Sequence, residues 1–215
     1  MNTARLTLLS DGSTDQALLH VLRWLVKTHS TAPFEQRWAD LRQLPKPPRK
    51  LRDRIEAAQD LHPCDVLVVH RDAERDPPHK RSQEIAEAIR GLSTLVVHAV
   101  PVRMTEAWFL FDEAAIRRAA GCPNGTMPLD LPPLKNVESI PDPKEVLHAT
   151  LRMASNLSGR RRKLFHPDIR RLADLIDDFA PLRAVPSFRA LEESFCSALL
   201  TLGLLRTHSD GLTSE

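Results

Sequence analysis

The chain contains no tyrosine, only three cysteines and seven glycines, and no long apolar run, and each shortage removes a class of function. Without tyrosine no tyrosyl intermediate can form on this chain, so strand passage of the topoisomerase kind is excluded. Cys64, Cys122 and Cys196 are an odd number, widely spaced and without a Cys-x-x-Cys pair, so neither a disulfide framework nor a zinc knuckle is encoded. They read as small core or loop residues. No Gly-x-x-x-x-Gly-Lys segment is present, which argues against a phosphate loop and against a small-molecule phosphotransfer or hydrolase enzyme. No apolar stretch approaches the roughly 18 to 20 residues needed to cross a bilayer, and the N-terminus carries no basic region followed by an apolar core. A cytoplasmic protein with no membrane contact is the expectation.

Charge of one sign is also lacking. Lys and Arg total 30 against 28 Asp and Glu, a formal +2, so any hold on a polyanion must come from where the cations lie. Hydrophobic content of 42% and charged content of 27% are ordinary for a folded globular chain, and 215 residues can bury one good core with a smaller extension.

Arg5 to Ser10 is short, apolar and bounded by Asp11-Gly12, which suits a buried strand. A helix follows, capped by Ser13 or Thr14, with Leu18, Leu22, Leu25 and Val26 at helical spacing. Phe34 to Leu44 reads as a second strand ended by the prolines at 45–48, and Leu51 to Leu61 as an amphipathic helix. Asp65 to His70 is a clear buried strand leading into Arg71-Asp72-Ala73-Glu74. Lys80 to Arg90 is a helix closed by Gly91, Ser93 to Val102 a further apolar strand, and Glu106 to Ala120 the next helix. Strands alternating with helices predict an α/β fold, a mostly parallel Rossmann-like sheet flanked by helices, over residues 1–120. Prolines crowd 121–143, a long connection over the surface. Residues 144–215 form a helical extension packed on the main domain, with helices expected over Lys144 to Leu157, Pro167 to Phe179 and Ser187 to Leu205.

In an open parallel sheet, ligands bind beyond the carboxyl ends of the strands. Three predicted strands deliver carboxylates there: Asp11, with Asp15 in the turn after it; Asp72 with Glu74; and Glu106 at the start of the helix after the last strand. Gathered at one edge these groups repel one another unless cations neutralise them, and hard oxygen donors suit Mg2+ or Mn2+. Each has a plainer reading alone. Asp11-Gly12 can be only a turn, Asp15 only a residue favoured by a helix start, Asp72 and Glu74 a solvated loop beside Arg71 and Arg75, and Glu106 an ordinary first-turn residue. Their joint placement after three successive strands carries the functional reading. Arg71, Arg75 and Arg103 are candidate phosphate-binding residues, with Lys80 and Arg81 also flanking the acidic loop. Arg160-Arg161-Arg162-Lys163 reads as a solvated face, Trp108 and Phe109 as core, and His70 as a satisfied structural histidine.

Leu-Ser-Asp11-Gly12-Ser-Thr-Asp15 and the strand ending His70-Arg71-Asp72-Ala73-Glu74 resemble the Toprim domain of primases, topoisomerases and overcoming-lysogenization-defect nucleases. Through Val100-Pro-Val-Arg-Met-Thr-Glu106-Ala-Trp-Phe-Leu and Asp142-Pro-Lys144-Glu, nearly the whole chain is similar to a bacterial Toprim-like family whose members sit beside ATPases in apparent defence operons. Two positions depart from the Toprim pattern: Asp11 stands where glutamate is usual before the glycine, and Glu74 where the second aspartate of an Asp-x-Asp pair is usual. Charge and denticity survive both changes, so they favour ligation over a proton-transfer role for these residues.

The resemblance implies a metal-dependent nuclease acting on nucleic acid, with an ATPase partner. Two Mg2+ or Mn2+ ions would be held by Asp11, Asp72, Glu74 and Glu106, with Asp15 completing the catalytic set and Arg71 or Arg103 offsetting phosphate charge. The alternative is a catalytically degenerate Toprim-like subunit that binds or regulates an ATPase or nucleic acid. A homo-oligomer is compatible with either.

Overall fold

The apolar runs become one sheet. In the computed structural model, which describes residues 3–207, β1 (Ala4–Leu9), β2 (Phe34–Trp38), β3 (Val66–His70) and β4 (Leu95–Ala99) are all parallel, in the order β2-β1-β3-β4. Val66–His70 is buried throughout, as a strand covered on both faces must be, and this is why its sequence is an unbroken apolar run. In register, Leu8 sits opposite Trp38 on one side and Val68 on the other, and His70 opposite Ala99, so the carboxyl ends of all four strands open on one edge.

Helices α1 (Leu18–His29), α2 (Leu51–Leu61), α3 (Pro78–Ala88), α4 (Glu113–Ala119), α5 (Pro143–Ala154), α6 (Gly159–Lys163), α7 (Ile169–Leu175) and α8 (Pro186–Thr201) surround the sheet. One face packs Leu9, Leu67 and Val69 against Ile55 and Ala58 of α2 and Ile85 of α3. The other packs Leu6, Leu8, Val66, Val68 and Val97 into a larger cluster with α1, α4, α5, α7 and α8. Trp108 is fully buried in it, edge-on to Phe188 with centroids 5.5 Å apart, and its Nε1 donates to Ser187 Oγ at 3.1 Å. The helices after residue 143 therefore complete the same core that β1, β3 and β4 begin.

Several boundaries differ from the sequence reading, each for a local reason. Neither Ser13 nor Thr14 caps a helix: Thr14–Ala17 is a 3₁₀ turn, and the Asp15 carboxylate accepts from Gly12 N at 2.8 Å. Glu106 to Ala120 is not one helix. A 3₁₀ turn over Thr105–Phe109 ends before Asp112, whose carboxylate accepts from Ala115 N at 2.8 Å and starts α4 afresh. β4 stops at Ala99, because Pro101 follows and Arg103 takes a positive φ of 65°. β2 is five residues long, its continuation turning at Leu41–Gln43, and α3 begins at Pro78. The proline-rich 121–143 stretch is not wholly on the surface: Leu129 and Val137 are buried, and Leu134–Ser139 is a 3₁₀ turn. The segment read as a helix to Phe179 ends at Leu175, with a separate 3₁₀ turn over Ala180–Ala184, and the Arg160–Lys163 run forms the exposed α6. The three cysteines are free, and among the described residues no helix is long and apolar enough to cross a membrane.

Candidate active site

The loops after β3 and β4 remain joined beyond the sheet. Arg71 N donates to Ala99 O (3.1 Å), Ala73 N to Pro101 O (3.0 Å) and Glu74 N to Arg103 O (2.9 Å). The last pair meets where both residues hold a left-handed backbone, Glu74 at φ 54° and Arg103 at φ 65°. That conformation costs a non-glycine residue roughly 1–2 kcal/mol, and strain of this kind concentrates at functional sites.

His70, at the end of β3, is buried at the centre of the edge. Its Nε2 lies 2.8 Å from Thr105 Oγ1 and 3.1 Å from Asp72 Oδ1, and its Nδ1 lies 3.5 Å from Asp15 Oδ2. The last contact is too long for a good hydrogen bond, so its attraction is ionic. Burial opposes charge on this imidazole, but the flanking carboxylates outweigh it and raise its pKa to about 9. At neutral pH it is an imidazolium between two carboxylates. Burial likewise works against charge on Asp15, yet His70, the Gly12 N–H and Lys144 together hold its carboxyl below the ordinary value. Asp72 Oδ1 is fixed further by Thr105 N at 3.0 Å and the Thr105 hydroxyl at 3.2 Å.

Glu106 responds in the opposite direction. Burial, reinforced by the negative charges of Asp72 and Asp15, raises its pKa despite Lys144, whose Nζ is 3.8 Å away. The 3₁₀ turn that carries Glu106 packs against α5, and the one that carries Asp15 packs against α7. The edge thus brings Asp15, His70, Asp72, Thr105, Glu106 and Lys144 into one electrostatically coupled group.

Asp11 and Glu74 stand outside it. Asp11 is paired with Arg54 and with Arg71, whose Nε is 3.3 Å away and whose Nη1 is 3.6 Å from Glu84. The Glu74 side chain is exposed, and the Arg103 guanidinium donates to its carbonyl at 3.4 Å. Arg75 is exposed. In this conformation no three Asp, Glu, His or Cys side chains among the described residues are grouped closely enough to hold one ion.

The donor chemistry nonetheless fits a hard divalent cation. Asp15 and Asp72 are oxygen donors set around one cationic group, and Glu106, whose pKa is raised first by burial and then by the charges of Asp72 and Asp15 against the pull of Lys144, offers a third. An apolar cavity of about 550 Å³ lies elsewhere, beside β4 between α3 and α8. It has few converging charged groups, so the acidic edge is the better candidate for chemistry.

His70, Thr105 and Lys144 were not marked as site residues by sequence reasoning. His70 is structural in the sense expected, being buried and bonded, but its partners are the candidate ligands themselves. Lys144 had a signal, since it lies in the Asp142-Pro-Lys144-Glu segment that carries the family resemblance. Comparison with protein-family models, with curated proteins and with solved structures finds no match to this chain.

Proposed function

We propose that this protein is a divalent-metal-dependent nuclease, a Toprim-like phosphodiester hydrolase that works with an ATPase partner in bacterial defence. The observation that supports it most is the placement of Asp15, Asp72 and Glu106 beyond three strand ends of a parallel sheet, around the buried His70 and Lys144, with burial first and then the charges of Asp72 and Asp15 raising the pKa of Glu106. Mg2+ or Mn2+ bound there would supply a Lewis acid and an activated water for in-line attack. Asp72 is the best-oriented ligand, its carboxylate fixed by Thr105 and His70. Asp15 would join it from the first motif, and positive charge placed beside Glu106 would favour its ionised, ligating form. Asp11 and Glu74 would enter the set only after Asp11 exchanges its arginine partners. Lys144, with Arg71 and Arg103 at the rim, would offset phosphate charge as it accumulates.

One observation favours the second reading, a catalytically degenerate subunit that binds or regulates an ATPase or nucleic acid: the two positions that depart from the Toprim pattern are the two that stand apart, Asp11 held by arginines and Glu74 exposed. The deciding assay incubates the purified chain with single-stranded DNA, duplex DNA and transfer RNA, with Mg2+ or Mn2+, alone and with a neighbouring ATPase. Cleavage that requires a divalent ion, is faster with the geometrically tolerant Mn2+ and disappears in Asp72→Asn supports the nuclease. Intact substrate under every condition favours the degenerate subunit.

A further inference from the structure

We infer that the helical segment after residue 143 is the phosphate-gripping wall of this site, and that the cleft between the Ser13-Thr14 turn and helices α5 and α7 takes the sugar-phosphate backbone of a nucleic acid beside the scissile bond. The inference rests on the proposed function and assigns the substrate grip to residues other than the arginines named from sequence.

The cleft has a volume of about 600 Å³ and is lined by Ser13, Thr14, Lys144, His148, His166 and Arg170, among others. It adjoins the acidic cluster from two sides. Ser13 and Thr14 immediately precede Asp15, and Lys144 both lines the cleft and reaches to 3.8 Å from Glu106. A strand lying in it would pass directly to the carboxylates.

Its charge is of the required sign. The one carboxylate in the lining, Asp168, is occupied as the cap of α7, accepting from Arg171 N at 3.0 Å. Helices α5 and α7 make ion pairs through Lys144, Glu145, Arg152 and Asp174, and the exposed Arg170 takes part in none among the described residues. His148 reports the local potential: burial first, then Lys144 and Arg152, lower its pKa against the opposing pull of Glu145 and Asp142. Lys144, His148 and Arg152 recur every fourth residue on α5, a row with a rise of about 6 Å per step. By contrast, Arg71 is engaged by Asp11 and Glu84, and Arg81 and Lys80 by Asp76. Phosphate contacts from Lys144 and Arg170 carry no sequence information, so a grip of this kind is independent of sequence.

The test is fluorescence anisotropy of labelled thymidine homopolymer, duplex DNA and RNA in chelator, so that cleavage plays no part. The full chain is compared with Arg170→Gln, Arg170→Glu, His148→Gln and, on the solvated α6, Arg161→Glu. Arg170→Glu should weaken binding by about 10-fold or more at low salt, and Arg170→Gln should reduce the slope of log affinity against log salt by about 0.7 for single strands. Arg161→Glu should leave affinity within about twofold. Thermal melts confirm that each variant is folded. Wild-type binding with unchanged affinity and salt slope in both Arg170 variants overturns the inference while leaving the nuclease reading intact. Binding that depends on Arg170 in a chain that never cleaves supports the cleft and refutes the nuclease reading. Absence of any nucleic-acid binding overturns the inference.

Discussion

At the scale of single residues, the charge on His70 is decided by its neighbours and not by its burial. A histidine sealed in a core is ordinarily neutral, but here Asp15 and Asp72 hold the proton on, to a pKa of about 9. Since that value lies above the ~6.5 of an exposed imidazole, the proton stabilises the metal-free fold in full below about pH 6.5, and the contribution is lost as pH rises through about 9. The loss is on the order of 3 kcal/mol. Thermal melts of metal-free protein should therefore show a falling Tm between pH 6.5 and 9.5, and His70→Asn should flatten that slope while lowering stability at pH 6.5. A wild-type Tm that is constant over the window would contradict the assignment. The carboxylates Asp11, Asp15, Asp72, Glu74 and Glu106 were legible because each follows a strand. Which of them face one another was not legible, because that depends on rotamers and on partners such as Arg54, Thr105 and Lys144 that are distant in sequence.

At the scale of elements, one capping device recurs. Asp40, Asp112, Asp142 and Asp168 each accept from a backbone N–H in the turn they begin, at 3.2, 2.8, 2.9 and 3.0 Å. Asp112→Ala should cost ~1 kcal/mol in urea denaturation, whereas Ser13→Ala, which removes a hydroxyl that makes no capping bond, should leave stability near the wild-type value. Equal losses in the two variants would show that the break before α4 is not fixed by Asp112. The same device explains where sequence reading succeeds and fails. Leu51–Leu61 was read to its limits because its apolar period is uninterrupted, and β1 and β3 to within a residue or so because buried parallel strands are continuous apolar runs. The 106–120 stretch looked continuous because an internal Asp reads equally as a surface residue and as a cap. In β2, Glu35 and Arg37 alternate outward between Phe34, Gln36 and Trp38, a pattern blurred once Leu41 and Leu44 were included in the same window.

At the scale of the molecule, the sheet supplies the acidic edge and the later helices supply both core and cations. Trp108 packs on Phe188, His29 Nε2 is 2.7 Å from Glu192 Oε1, and Lys144 reaches Glu106. The formal charge of +2 conceals this division, with carboxylates at the strand ends and Lys144 and Arg170 on the facing helices. The α/β class and the parallel sheet were readable from alternating apolar runs, and a helical extension packed on the main domain was expected; which of its residues share the core of the sheet was not readable, since that rests on long-range contacts between segments that each look like ordinary amphipathic helices. The most direct measurement is calorimetric titration of Mn2+ into the wild type, Asp72→Asn and Glu106→Gln, each shown to be folded. The proposed site predicts saturable binding to the wild type and affinity about 10-fold or more weaker in each variant, in keeping with the loss expected when a metal site is disturbed. Equal Mn2+ affinity in all three proteins, or no binding to the wild type, would contradict it.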